Sequence, residues 1–177
     1  MELIESNEEI WKKIDGYDNY SVSTLGRVRN DETRKIFKGG KKTNGYLNVG
    51  LSKNGVKKSH LIHRLVALTF IPNPDNKPCV DHRDNNKTDN RIEVLRWCTQ
   101  SENGMNAQIP SNNTSGVKGV RWDKSSQKWR AQINLDGNNI HLGLFDSKEE
   151  AREARQTRAN EVFGVFTNLC ENSSPPP

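Results

Sequence analysis

Two Ser/Thr-x-x-Glu boxes, Thr99 to Glu102 and Ser147 to Glu150, each follow directly on a short apolar run, Leu95 to Cys98 and Ile140 to Phe145. In such a box the hydroxyl accepts a backbone N–H three residues on, and the Glu carboxylate accepts the N–H of the capping residue. A helix start is therefore expected at each box. The apolar runs before them are too short for buried helices and read as strands. The chain is thus expected to pass from strand to helix at two separate places. With 32% apolar and 28% charged residues, it favours small modules over a single large core.

The second box closes a legible module. From Lys128 to Asn134 the residues alternate, with Trp129, Ala131 and Ile133 on one face and Arg130, Gln132 and Asn134 on the other. Asp136-Gly137 is a hairpin turn, and Ile140 to Phe145 is the returning strand. Gly116 to Trp122 supplies a further strand. The helix after Ser147 is expected to run to about Phe163 and stop at Gly164. Three strands over one helix leave the opposite sheet face open. That face is expected to carry Arg130, Gln132, Asn134 and His141, with Lys118 and Arg121. A sheet of this kind fits the DNA major groove, where Arg reads guanine and Gln or Asn reads adenine.

The front of the chain is basic. Residues 21–64 hold eleven Lys/Arg against two acidic residues, a local charge of +9, whereas residues 1–20 hold two against six. The first window is an electrostatic footprint for a phosphate backbone, and Arg27, Arg29, Lys41 and Lys42 are its candidate contacts. Short strands are expected over 10–30 and 45–51, followed by a turn at Asn54-Gly55. Leu61, Leu65, Val66, Leu68 and Phe70 space as a short buried helix that Pro72 and Pro74 stop. His63 in that helix reads as a packing or bracing residue.

The stretch from Val80 to Asn103 carries the chemistry. Asp81 and His82 stand at the mouth of one strand, before an Asn-rich polar loop. Leu95 to Cys98 forms the next strand, and Asn103 falls in the first helical turn after the box. A carboxylate and an amide oxygen are hard donors suited to Mg²⁺ or Mn²⁺. An adjacent imidazole takes a proton from water near neutral pH.

This run resembles the HNH endonucleases, specifically the intron-homing branch, over about a quarter of the chain. Asp81, His82, Asn86, Lys87, Leu95, Arg96, Trp97, Thr99 and Asn103 fall on its signature. Val94 departs from it, because the family has Asn before Leu-Arg-Trp, where the amide braces the loop and the catalytic His. Asn90 or Asn86 is expected to substitute. His63 to Ala67 also matches the family ahead of its metal motif. Residues 8–58 are similar to a small DNA-binding segment fused to homing nucleases, through Trp11, Lys12, Ile14, Gly16, Tyr17, Tyr20, Val22, Ser23, Gly26, Arg27 and Val28. Residues 116–168 resemble the Apetala-two DNA-binding domain, through Gly119, Val120, Leu142, Gly143, Phe145, Asp146, Ser147, Glu149, Glu150 and Ala151.

These resemblances imply an α+β, modular chain with a ββα-metal nuclease core followed by a three-stranded antiparallel sheet packed on one helix. The expected divisions are 1–58, 59–106, a linker at 107–115, 116–168, and a disordered tail at 169–177. The implied activity is metal-dependent hydrolysis of a phosphodiester in double-stranded DNA, nicking one strand as a monomer and leaving a 5′-phosphate and a 3′-hydroxyl. Asp81 and Asn103 would hold Mg²⁺ or Mn²⁺, His82 would act as general base, and Arg83 and Arg96 are candidates equally for clamping phosphate or for a surface ion pair. The rival expectation is a non-catalytic DNA-binding protein disarmed at Val94. A protein-interaction module is a third reading, and charge asymmetry disfavours it. Three cysteines without a C-x-x-C spacing, Cys79, Cys98 and Cys170, read as reduced thiols in a cytoplasmic protein. No stretch has the length of a membrane span.

Overall fold

A computed structural model describes residues 8–167. The expected disordered tail and Cys170 lie outside these residues. The chain forms two compact units, Met1–Trp97 and Cys98–Pro177.

In the first unit, β1 (Trp11–Ile14), β2 (Tyr17–Ser23), β3 (Val28–Asn30) and β4 (Ile36–Phe37) form an antiparallel sheet in sequence order. A second antiparallel sheet holds β5 (Gly40–Lys41), β6 (Leu47–Lys53) and β7 (Val56–Leu61). Asn54 and Gly55 join β6 to β7 with φ of 50° and 76°, the double positive φ that an Asn-Gly hairpin turn requires. Next comes α1 (Ile62–Phe70), whose buried face is Ile62, His63, Leu65, Val66 and Ala67. Then β8 (Cys79–His82) and β9 (Leu95–Cys98) make a two-stranded sheet, with a 3-10 turn over Ile92–Val94 between them.

Sequence reading divides this region at residue 58, but its apolar residues share one core. Val22, Val28, Val49 and Leu51 from the two large sheets pack in one cluster with Ile62, Val66, Leu95 and Trp97. Short strands of this size cannot bury enough surface separately.

The second unit begins with α2 (Gln100–Asn106), capped by the Thr99 box: Thr99 Oγ1 accepts from Glu102 N at 3.1 Å and Glu102 Oε2 from Thr99 N at 2.6 Å. An antiparallel sheet follows, β10 (Val120–Asp123), β11 (Lys128–Leu135) and β12 (Asn138–Phe145), in that order. Asp136 and Gly137 turn the hairpin with φ of 49° and 83°. The Ser147 box starts α3 (Lys148–Phe163), and Gly164 caps its end at φ 45°. Three strands and one helix thus stand where the sequence placed them. Val120 and Ala131 pack with Ala151, and Ile133 packs with Ala159, Phe163 and Met105 of α2. Met105 of α2 has its apolar partners in the second unit. Among the described residues no helix is long and apolar enough to cross a membrane.

Candidate active site

β8 ends on the two residues that matter most. Asp81 is 5% exposed and His82 3%. β9 runs beside β8, and Arg96 on it sends Nε and Nη2 to Asp81 Oδ2, each at 2.8 Å. Arg96 was a candidate phosphate clamp. Its guanidinium instead holds the Asp81 carboxylate, and the pair is almost wholly buried, at 12% and 5% side-chain exposure. A buried polar group needs such a hydrogen-bonded partner to offset its lost hydration. Arg83, the other proposed clamp, is exposed, and its backbone N–H donates to Val94 O at 2.9 Å.

The 83–91 loop is folded by its own short polar side chains. Asp84 Oδ1 accepts from Asn86 N at 3.0 Å, and Asn86 Oδ1 accepts from Thr88 N and Oγ1 at 3.2 and 2.8 Å. Asn86 therefore braces the loop itself. Asn90, 4% exposed, is the residue that reaches the imidazole, with Oδ1 3.5 Å from His82 Nε2. A proton on Nε2 satisfies that contact and leaves the lone pair on Nδ1. Burial pushes the His82 pKa below its usual 6.5, against the opposing pull of Asn90, Asp81, Asp84 and Asp89. His82 is therefore neutral near pH 7, the form that accepts a proton.

Val94 packs as a half-buried side chain against the core of the first unit. The bond across the loop runs through its carbonyl, which any residue supplies. Val94→Asn is expected to cost about 1 kcal/mol of stability by placing an amide against apolar neighbours. Denaturant midpoints check it, and a midpoint equal to that of the native chain would show that the Val94 side chain packs against nothing that matters.

Two aromatic groups that the sequence left without a role in catalysis complete the surroundings of His82. His63 of α1 meets it edge-on, with ring centroids 5.1 Å apart at 71°. Tyr46 lies 4.8 Å from His63 and 5.7 Å from His82. Lys87 from the loop reaches the Tyr46 ring at 5.0 Å and donates to Asn44 O at 3.2 Å. His63 Nδ1 is buried with no hydrogen-bond partner. Burial first, then the charges of His82 and Arg64, hold the His63 pKa at about 4 instead of 6.5.

The unfolded chain therefore binds a proton at His63 that the folded chain refuses between pH 6.5 and 4. Stability is full above pH 6.5 and falls as pH drops through that window, by on the order of 2 kcal/mol at pH 5. The lowered His82 pKa acts in the same direction. His63→Phe keeps the ring contacts and is expected to halve or better the loss of stability between pH 7 and pH 5, read from urea midpoints. An unchanged loss would assign it to other groups.

Asn103, the other candidate metal ligand, is the fourth residue of α2 and half-buried. Its place belongs to the second unit. A carboxylate with an amide oxygen matches the hard donor set of Mg²⁺ or Mn²⁺. Among the described residues no group of three or more His, Cys, Asp or Glu could hold a metal.

Of the candidate DNA contacts, five share a face. Arg121 pairs across the strands with Arg130, and Gln132 with His141, while Asn134 follows on the same side of β11. Arg121, Asn134 and His141 are exposed. Arg130 Nη2 is held by Asp123 at 2.7 Å. Lys118 is not on that face: its ammonium donates to the carbonyls of Gly104, Met105 and Ala107. Lys41 and Lys42 are exposed at and after β5. Arg27 pairs with Glu9 and Arg29 with Asp31 at 2.7 Å, and both lie over the Trp11 ring.

Residues 9–52 match the NUMOD4 motif and residues 60–105 match the family described as HNH endonuclease; residues 116–168 lie outside both. The chain is 44% identical over 141 residues to an uncharacterised HNH endonuclease of Acanthamoeba polyphaga mimivirus, covering 80% of this chain and 39% of that one. It is 40% identical over 97 residues to the DNA endonuclease I-HmuI of Bacillus phage SP01, covering 54% of this chain and 56% of that one. The chain therefore spans well under two thirds of the length of these curated relatives. A solved structure of DNA binding and cleavage by the HNH homing endonuclease I-HmuI superposes with a TM-score of 0.53 at 30% identity, over 88% of this chain and 91% of that one.

Proposed function

This chain belongs to the HNH endonuclease family, and from that premise we propose that it is a site-specific DNA endonuclease of the homing type, nicking one strand of a duplex as a monomer. The observation that carries the reading is the neutral, buried His82 beside a carboxylate held by Arg96. In the proposed reaction a water oxygen attacks phosphorus, its proton passes to the His82 imidazole, and the bond from phosphorus to the 3′ oxygen breaks, the 3′ oxygen taking a proton from solvent water. Arg96 holds the Asp81 carboxylate in place. Asp81 and Asn103 would hold one Mg²⁺ or Mn²⁺, which when bound stabilises negative charge on the phosphate and the leaving oxygen.

Recognition is assigned to the open sheet face of Arg121, Arg130, Gln132, Asn134 and His141. A three-stranded sheet on one helix with that face polar supports an Apetala-two type of docking. Lys41 and Lys42 add sequence-independent grip on phosphates. The rival reading, a binding protein without catalysis, rested on Val94. Asn90 within reach of His82 supplies the brace that Val94 lacks, and this favours the nuclease.

The test is a supercoiled plasmid carrying a cognate site, incubated with Mg²⁺ or with EDTA. Metal-dependent conversion to the open circle is expected. A site-bound plasmid left intact in Mg²⁺ and in Mn²⁺ would return the rival reading.

A further inference from the structure

Asn103 rides on α2, and α2 is fastened to the recognition sheet by three independent contacts. At its C-terminal end, Lys118 Nζ donates to Gly104 O at 2.6 Å, Met105 O at 3.0 Å and Ala107 O at 2.7 Å. Carbonyls at a helix end have no partner within the helix, and a cation there also meets the negative end of the helix dipole. Near its start, Ser101 Oγ donates to Asp136 Oδ1 at 3.0 Å and accepts from Asp136 N at 2.8 Å. Asp136 begins the turn of the β11–β12 hairpin. Between these ends Met105, 5% exposed, packs with Ile133, Ala159 and Phe163, and Arg155 Nη2 lies 3.4 Å from its sulfur.

A seven-residue helix does not hold its own shape in water. Its placement comes from these contacts, and each of them comes from β11, its hairpin turn, α3 or the turn before β10. Gln132, Asn134 and His141 stand on the same hairpin.

We infer that Lys118 is a positioning residue, which with the Ser101–Asp136 pair fixes α2 to the recognition sheet, so that the unit reading the DNA sequence is also the unit that delivers Asn103 to the metal. The inference rests on the proposed role of Asn103 as a ligand. It makes residues 107–115 a loop inside one unit instead of a linker between two. A lysine directed into helix carbonyls has little left for a DNA phosphate, so its loss should register in metal use before it registers in DNA affinity.

The experiment uses the full chain with Lys118→Met, Lys118→Arg, Ser101→Ala and Asn103→Ala. Three quantities are read: amide hydrogen exchange by segment, DNA affinity in EDTA, and the Mg²⁺ concentration at half-maximal nicking. Lys118→Met is expected to speed exchange of the α2 amides at least tenfold with β11 and α3 unchanged. It should raise the Mg²⁺ requirement about tenfold and leave affinity within twofold, and Lys118→Arg should recover most of both. If exchange in β11 and α3 also quickens, Ser101→Ala carries the same expectation, since it removes one surface contact. Unchanged α2 exchange in both variants overturns the inference. So does weaker DNA binding with an unchanged Mg²⁺ requirement, which would make Lys118 a phosphate contact. An unchanged Mg²⁺ requirement in Asn103→Ala would overturn the ligand assignment itself, whereas a change there and none in Lys118→Met would overturn the positioning role alone.

Discussion

If the proposed reaction is the chain's own, His82→Ala is expected to lower single-turnover DNA cleavage by about 10³-fold and to leave DNA affinity in EDTA within about twofold. General bases contribute typically about 10²- to 10⁴-fold, and the rest of the proposed site, Asp81 with Arg96, does not depend on the imidazole. His82 is 3% exposed, so it offers DNA little binding surface and its loss should fall on the chemical step. The pH profile supplies an independent check. Burial lowers the His82 pKa from 6.5, so the base stays unprotonated further into acid than a surface histidine would. Cleavage should fall on the acid side with a midpoint below 6.5. A variant that still cut at a tenth of the native rate would remove His82 from the role of base.

Gly26→Ala is expected to be a strongly damaging single-methyl change. Gly26 turns β2 into β3 at φ +74°, a conformation that costs a residue with a side chain on the order of 1–3 kcal/mol. The added Cβ would also sit 2.6 Å from Asn90 Cβ and 2.7 Å from the Asn90 carbonyl carbon and oxygen. Backbone cannot swing aside as a side-chain end would, and overpacking adds about 1–3 kcal/mol more. The total is on the order of 2–6 kcal/mol, a large part of the stability of a domain this size. The turn is tied to the same place from the other side, because Ile92 N donates to Thr24 O at 2.8 Å. Asn90 is the residue facing His82 Nε2, so whatever fraction stays folded should also cut more slowly. Urea melts and nicking rates corrected for the folded fraction measure the two parts. A melting midpoint equal to that of the native chain would show that the turn and Asn90 have room the structure does not give them.

Elements were readable from the sequence wherever a local rule applied. Thr99-x-x-Glu102 and Ser147-x-x-Glu150 start α2 and α3 through bonds spanning three residues. Asn54-Gly55 and Asp136-Gly137 turn hairpins because those residues accept positive φ. Alternation along β11 set Arg130, Gln132 and Asn134 against Ala131 and Ile133. Asp81 and His82 at a strand end followed from the same logic.

Partners of long side chains were not readable. Arg96 was open between phosphate and an ion pair, and it pairs with Asp81 because β9 beside β8 sets the two side by side. Lys118 was expected on DNA and turns to the end of α2. Asn90 was one of two candidates for bracing His82, and the loop bonds of Asn86 to Thr88 decide between them. His63 and Tyr46 are brought to His82 from α1 and from the turn before β6.

The sequence by itself thus determined the two capped helix starts, the Asn54-Gly55 and Asp136-Gly137 turns and the alternation along β11, since each depends on residues within one or two turns of chain. Only the tertiary structure decided that the two N-terminal sheets and α1 share one core, and that α2 belongs with the C-terminal sheet. The physical reason is that a short helix or hairpin has too little apolar surface to choose its own place. Its place is set by the distant residues that cover it, and period and spacing along the chain carry no record of those.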